Sequence, residues 1–366
     1  MRLLILSDLN SIHTKKWISG LSARGCDIMV FGLSKPLDDY YDRFENVQIG
    51  FANQTGFRER SLFSKLGYLK QIKQLRKLYR LYKPDIVHAH YATSYGLLGS
   101  LLRHKPFIIS VWGTEIFDFP KSSAFNKFIL KRNLSKATHL FSTSEVMAKE
   151  TNLYTAKKVE VVPFGVDLER FKSGITDKAD QSEKLVIGIV KTLEKNYAIN
   201  DLIAAFKIIV DRFPKQLFEL HIVGEGREED VLKKQTNELG LGSRVIFKGF
   251  INHDLVPSAF NQMDIVVIAS LTESFGVSAV EAAACKKPVV ATRVGGLPEV
   301  VIDQKTGLLC EPNNPSDMAD KIAVLVEDQE KRKSMGEAGR ISVFEKYDWE
   351  KNVDQMYDHY RRIASS

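Results

Sequence analysis

Glu273-Ser274-Phe275-Gly276-Val277-Ser278-Ala279-Val280-Glu281, followed by Pro288-Val289-Val290-Ala291-Thr292-Arg293-Val294-Gly295-Gly296-Leu297-Pro298-Glu299, carries more information than any other stretch of this chain. Two carboxylates stand eight positions apart, with a small-residue turn and a helix start between them. A buried strand and a Gly-Gly loop follow. Were both glutamates helical, they would be separated by roughly 12 Å of rise and about 80° of rotation, too far to share a proton. Phe275-Gly276 instead reads as the loop opening the helix, so the two carboxylates can grip separate parts of one elongated ligand. The free N–H groups of that helix start suit a phosphate lying between the gripped parts.

Outward from this stretch, apolar β-rich runs alternate with helix-length amphipathic segments, the pattern of parallel sheets with crossover helices. Strands are expected over 3–6, 27–31, 85–89, 107–111 and 159–162 in the first half. In the second half they are expected over 185–190, 218–223, 245–247, 265–269 and 288–292. The polar segment 173–184 reads as a surface connector, and Pro163-Phe164-Gly165-Val166-Asp167 as the crossover between halves. The fold class expected is α/β, with two doubly wound domains facing each other across a cleft. Their boundaries are 1–164, 165–348 and a terminal helix from 349. Ligands of such sheets bind at the carboxyl ends of the strands.

The paired glutamates with their glycine turn and Gly-Gly loop resemble the Glu-x7-Glu signature of family-4 retaining glycosyltransferases of the GT-B fold. That resemblance runs over nearly the whole chain and is sharpest between about 185 and 315. It implies a nucleotide-sugar donor, most simply a UDP-sugar, with Glu281 on the ribose hydroxyls and Glu273 on the sugar. The N–H groups of Phe275, Gly276 and Val277 would hold sugar and diphosphate. Lys191 and Lys195, after an expected strand, would stabilise charge on the leaving diphosphate; the bland alternative is a pair of solvated loop lysines. Relatives usually carry arginine near 191, and Asn196 and Ala198 stand where many have lysine and glycine.

Gly224 ends another strand in Val223-Gly224-Glu225-Gly226, but Glu229 stands where a dinucleotide fingerprint needs its third glycine. A tight turn facing the nucleotide is the better reading. Gly249, Phe250 and Ile251 resemble the segment whose backbone meets the base, and Gly295 and Gly296 the loop beside ribose and phosphates. Glu299 reads first as a helix N-terminal carboxylate. The resemblance also implies that the terminal helix crosses back to the N-terminal domain.

The N-terminal half offers four candidates for the acceptor side. Asn10-Ser11-Ile12-His13-Thr14 occupies the place of a glycine-rich loop without a glycine, so His13 and Thr14 are read as side-chain donors, against helix capping or core packing. His88 and His90 share a strand face with no third metal ligand evident, and His90, nearer the carboxyl end, is expected at the cleft. Trp112 stands where relatives often carry a histidine that touches the donor sugar; indole offers only stacking and one N–H.

Charge is unevenly placed. Residues 1–165 hold 25 Lys and Arg against 13 Asp and Glu, and the remainder 27 against 32. From Ser61 to Pro84 there is no acidic residue, while Lys65, Lys70, Lys73, Arg76, Lys77, Arg80 and Lys83 recur. Two readings stand: a core-facing helix with a solvated basic back, or a face for anionic lipid headgroups, which Lys121, Lys127, Lys131, Arg132 and Lys136 would extend.

No apolar run reaches 18 residues, and the three cysteines are odd in number and widely spaced, so a cytoplasmic protein without disulfides is expected, peripheral to the membrane at most. No Asp-x-Asp triplet occurs, so neither metal nor cofactor is expected. The function expected is transfer to a glycan or lipid-linked saccharide acceptor. A sugar-nucleotide epimerase or phosphorylase of the same fold is the nearest alternative. A nucleic-acid-binding protein is disfavoured because the positive charge lacks aromatic interleaving.

Overall fold

The computed structural model describes residues 1–52, 71–174 and 184–365. Most of the expected connector 173–184, and both Lys65 and Lys70, lie outside that range. The chain divides into two compact units, one of Met1–Phe164 with Glu350–Ser366 and one of Gly165–Trp349.

The first unit is built on a parallel sheet ordered β3-β2-β1-β4-β5-β6-β7. In chain order its elements are β1 (Arg2–Leu6), α1 (Ile12–Ala23), β2 (Asp27–Gly32), β3 (Val47–Phe51), α2 (Ile72–Tyr82) and β4 (Ile86–His90). There follow α3 (Ser94–Leu102), β5 (Phe107–Val111), α4 (Ala124–Lys136), β6 (His139–Ser142), α5 (Glu145–Asn152) and β7 (Val159–Val161). Leu3, Leu4, Ile5 and Leu6 are completely buried. Crossover helices cover both sheet faces, which is why the central strand reads as an unbroken apolar run.

The second unit repeats the plan on a sheet ordered β10-β9-β8-β11-β12-β13. Its elements begin with β8 (Lys184–Val190), α6 (Ile199–Arg212), β9 (Leu217–Val223), α7 (Glu229–Glu238), β10 (Val245–Gly249), α8 (Val256–Asn261) and β11 (Ile265–Ile268). After these come α9 (Val277–Ala284), β12 (Val289–Thr292), α10 (Leu297–Val300), β13 (Gly307–Cys310), α11 (Pro315–Glu327) and α12 (Gln329–Lys346). Helix α6 shows the amphipathic spacing plainly: Leu202, Phe206 and Ile209 are fully buried against the sheet while Asn200 and Arg212 face water. The last helix, α13 (Trp349–Ala364), belongs from Glu350 onward to the first unit. It is held there by Tyr360, whose hydroxyl meets His88 Nδ1 at 2.6 Å, and by Arg24, which binds Asp354 at 2.6 Å and Glu350 at 3.1 Å.

Three strands differ from the sequence reading by their existence. β3, β6 and β13 are short and partly polar or glycine-containing, and only pairing with a neighbouring strand makes them strands. Other boundaries move by a residue or two. The strand expected from Pro288 begins at Val289, because proline has no N–H for the ladder.

In each unit the strand order reverses once, between β1 and β4 and between β8 and β11. Those are the switch points where open α/β sheets leave a crevice beyond the strand ends.

Candidate functional site

Lys191 leaves the end of β8 and the loop carrying Glu273 leaves the end of β11, so the two flank the switch point of the second unit. Lys191 Nζ lies 2.6 Å from Glu273 Oε2, and both side chains are 14% exposed. Ser270 Oγ donates to the same oxygen at 3.2 Å, and the ammonium sits 4.3 Å from the centroid of Tyr197. Among the described residues Glu273 Oε1 has no hydrogen-bond partner. The carboxylate is therefore oriented through one oxygen only.

Immediately beyond, Gly276 caps α9 with φ +108° and no side-chain hydrogen bond. The N–H groups of Gly276 and Val277 donate to no backbone carbonyl among the described residues, while the Ala279 N–H donates to Gly276 O at 3.0 Å. An uncapped helix start holds partial positive charge and pointing donors, the requirement for an anion. Ser278 Oγ ties this start to the sheet by donating to Val190 O at 2.7 Å. The Phe275 ring is buried and meets Tyr347 edge-on at 5.4 Å, so only its backbone can serve a ligand.

The Gly-Gly loop lies directly on this turn. Gly296 N–H donates to Glu273 O at 2.9 Å, and Gly295 adopts φ +49°. A Cβ on Gly295 would collide with the Glu273 carbonyl oxygen, and one on Gly296 would come within 2.6 Å of Ser274 O. Glycine is required here for close approach as well as for backbone conformation. Gly224 follows the same logic, since a Cβ there would run into Lys191 O, and its N–H donates to Gly249 O at 2.8 Å. Gly249 itself has φ +65° with open space beside it, and the Phe250 side chain is 71% exposed. Ile251 is half-buried on the same loop.

Glu281 lies on α9, 6% exposed, where Oε1 accepts from His253 Nε2 at 3.0 Å. His253 was not among the residues singled out from sequence. Its only signal is position, two residues beyond Ile251 in the Asn252-His253-Asp254 turn. Ser270 and Tyr197, which orient Glu273 and Lys191, were missed for the same reason: neither belongs to a spaced motif. Lys195 opens a single turn at 195–197, is exposed, and has no ion-pair partner among the described residues. Glu299 falls in the first turn of α10, in keeping with its reading as a helix-terminus carboxylate.

The first unit assembles its four candidates differently. His13 is stacked on Phe164 with centroids 4.2 Å apart, and Trp112 meets His13 edge-on at 6.2 Å. Trp112, 7% exposed, also covers His90 at 4.1 Å. Thr14 is corrected. It is completely buried with its hydroxyl 2.7 Å from Ser7 Oγ, and Ser7 Oγ lies 2.9 Å from His90 Nδ1. This Thr14–Ser7–His90 chain joins the ends of β1 and β4 across the switch point, so Thr14 serves the network and offers no donor to a ligand. His90 is likewise only 2% exposed, and it lines a small cavity together with His88, Trp112 and Tyr360. Burial drives both strand histidines toward the neutral form, His88 down to about 3 and His90 well below the ordinary range. Cys26, Cys285 and Cys310 are free and buried. Among the described residues no helix is long and apolar enough to cross a membrane.

Residues 173–342 match the family model of glycosyl transferases group 1, and residues 2–144 that of glycosyl transferase 4-like proteins. An uncharacterised glycosyltransferase of Methanocaldococcus jannaschii is 31% identical over 288 residues, 76% of each chain. The N-acetyl-alpha-D-glucosaminyl L-malate synthase of Bacillus anthracis is 30% identical over 290 residues, covering 75% of this chain and 74% of its own. Among solved structures, the sucrose-phosphate synthase of Thermosynechococcus elongatus superposes with a TM-score of 0.88 at 22% identity over 100% of both chains. Anabaena HepE in complex with UDP-glucose gives 0.80 at 20% identity over 99% of this chain and 100% of its own. Two parallel-sheet units of this kind make the GT-B fold, and the chain belongs to the group 1 glycosyltransferases.

Proposed function

We propose that this enzyme transfers a hexosyl or N-acetylhexosaminyl group from a UDP-sugar, with retention of configuration and without a metal, to a glycan or lipid-linked saccharide. The observation that carries the reading is the Lys191–Glu273 contact beside the uncapped start of α9. It sets a cation, a half-occupied carboxylate and free N–H donors at one switch point, which suits a sugar attached to a diphosphate. HepE, solved with UDP and with UDP-glucose, supports the choice of base.

In this reading Glu281 binds the ribose hydroxyls through Oε2, while His253 holds Oε1. Glu273 Oε1 accepts from a hydroxyl of the transferred sugar. The N–H groups of Phe275, Gly276 and Val277 face the sugar and diphosphate. The bond between the anomeric carbon and the diphosphate oxygen breaks as the acceptor oxygen bonds to that carbon on the same face. The acceptor's proton passes to the departing phosphate oxygen, and Lys191, with Lys195, lowers the barrier by stabilising the charge that develops there. The first unit is assigned the acceptor, beside His13 and Trp112.

Glu281→Ala should weaken UDP and UDP-sugar binding together, by about 1–3 kcal/mol, the scale of a lost charge-assisted hydrogen bond. Calorimetric titration of both ligands checks this. Unchanged affinity for both removes Glu281 from its role and, with it, the donor orientation proposed here.

A further inference from the structure

Helix α4 presents a face that nothing in the transfer reaction uses. Asn126, Leu130, Asn133 and Leu134 are buried and define its inward side. On the outward side Phe125 and Phe128 are 56% and 63% exposed, one turn apart. Single exposed apolar residues are ordinary, but paired aromatics on one helix ridge are an unusual thing to leave in water.

The electrostatics of that ridge are one-sided. Between Phe119 and Ser144 there is no acidic residue, while Lys127, Lys131 and Lys136 are exposed along α4. Lys121 is the exception, held by Glu150 at 3.4 Å. The charge continues onto neighbouring elements. Arg132 donates to Ser100 Oγ at 3.0 Å and Arg76 to Leu101 O at 3.2 Å, so α4 and α2 flank α3 on the same side of the sheet. Across residues 71–144 there are 12 Lys and Arg against 3 Asp and Glu. One of the three, Glu115, is buried, and another, Asp85, accepts the Arg2 N–H.

Protruding phenylalanines inside a cationic field match the two halves of a lipid interface, an apolar boundary beneath anionic headgroups. Nucleic-acid sites also combine cations with aromatics, but there the rings line a groove in which bases stack. Phe125 and Phe128 stand on the convex ridge of a helix. We infer that α4 is a membrane-docking element, inserting Phe125 and Phe128 into an anionic bilayer while the lysines of α4 and the basic face of α2 engage its headgroups. The inference does not rest on the donor site, and its failure leaves that reading untouched.

The test is co-sedimentation of the full chain with phosphatidylcholine vesicles, with or without phosphatidylglycerol, at low and high salt. Wild type should sediment with the mixed vesicles, lose them as salt rises, and ignore phosphatidylcholine alone. Phe125→Ser combined with Phe128→Ser should lower partitioning by roughly tenfold or more, and Lys127→Glu with Lys131→Glu by a similar factor. An unfolding midpoint matching wild type shows that each variant is folded, as expected for exposed positions. Absence of wild-type sedimentation overturns the inference, as does unaltered partitioning of folded variants. Salt-sensitive binding to single-stranded RNA without vesicle binding would assign the surface to nucleic acid instead.

Discussion

Glu115 carries the most consequential single charge in the first unit. Its Oε1 accepts the Trp112 N–H at 2.6 Å, and its Oε2 is buried without a partner among the described residues. Burial pushes the carboxyl up to about 7 from 4.5, although backbone N–H groups of the turn partly offset the shift. Between pH 4.5 and 7 the native state holds a proton that the unfolded chain has released, so stability falls as pH rises through that window and levels above it. The ionised form costs roughly 3 kcal/mol at pH 8. Glu115→Gln keeps the acceptor and removes the titration. The variant should gain stability relative to wild type between pH 5 and pH 8, measured by urea unfolding at each. An equal difference at both values would show that Glu115 does not titrate in this window. Such a group was invisible from sequence, where Glu115 is one acid in a short turn; the burial that shifts it comes from β5 and the turn folding over it.

At the scale of elements, the donor-site loops are held by backbone contact more than by side chains. Gly295→Ala places a methyl group against the Glu273 carbonyl at a left-handed position. We expect a loss of about 1–3 kcal/mol from strain alone. UDP-sugar affinity should fall further, because relief comes only by moving the turn that carries Glu273. Unfolding and titration of the same variant separate the two effects. An alanine variant with wild-type affinity would mean that the two loops move independently. The paired glutamates, the glycine turn and the Gly-Gly loop were legible because each conformation demands a particular residue type at a particular spacing. Strands β3, β6 and β13 were not, because four- and five-residue strands carry too little periodicity to outweigh their glycines and polar residues. Thr14 was misjudged because a hydroxyl after a strand reads alike whether it faces a ligand or bonds to Ser7.

At the scale of the whole molecule, a ligand that binds only the native state raises apparent stability by mass action. UDP should therefore raise the melting temperature more than ADP, GDP or CDP at equal concentration, with about 2.7 kcal/mol of stabilisation at one hundred times its dissociation constant. A thermal-shift panel checks this. A larger shift with another nucleoside diphosphate would replace uridine as the base while leaving the diphosphate reading in place.

The alternation of apolar runs with amphipathic segments determined by itself that this chain forms two parallel α/β sheets, because only crossover helices can bury both faces of such strands. The glycine turn between Glu273 and Glu281 was legible as a helix start, which puts one carboxylate on a loop and the other on α9. Tertiary structure alone decided which partners they meet. Lys191 is 82 residues from Glu273 and His253 is 28 from Glu281, and neighbours that remote are chosen by strand order, which no local pattern encodes. It also decided that His90 and Thr14 turn inward while Phe125 and Phe128 turn out. Burial belongs to the packed sheet and its helices, and a residue's own type only biases the outcome.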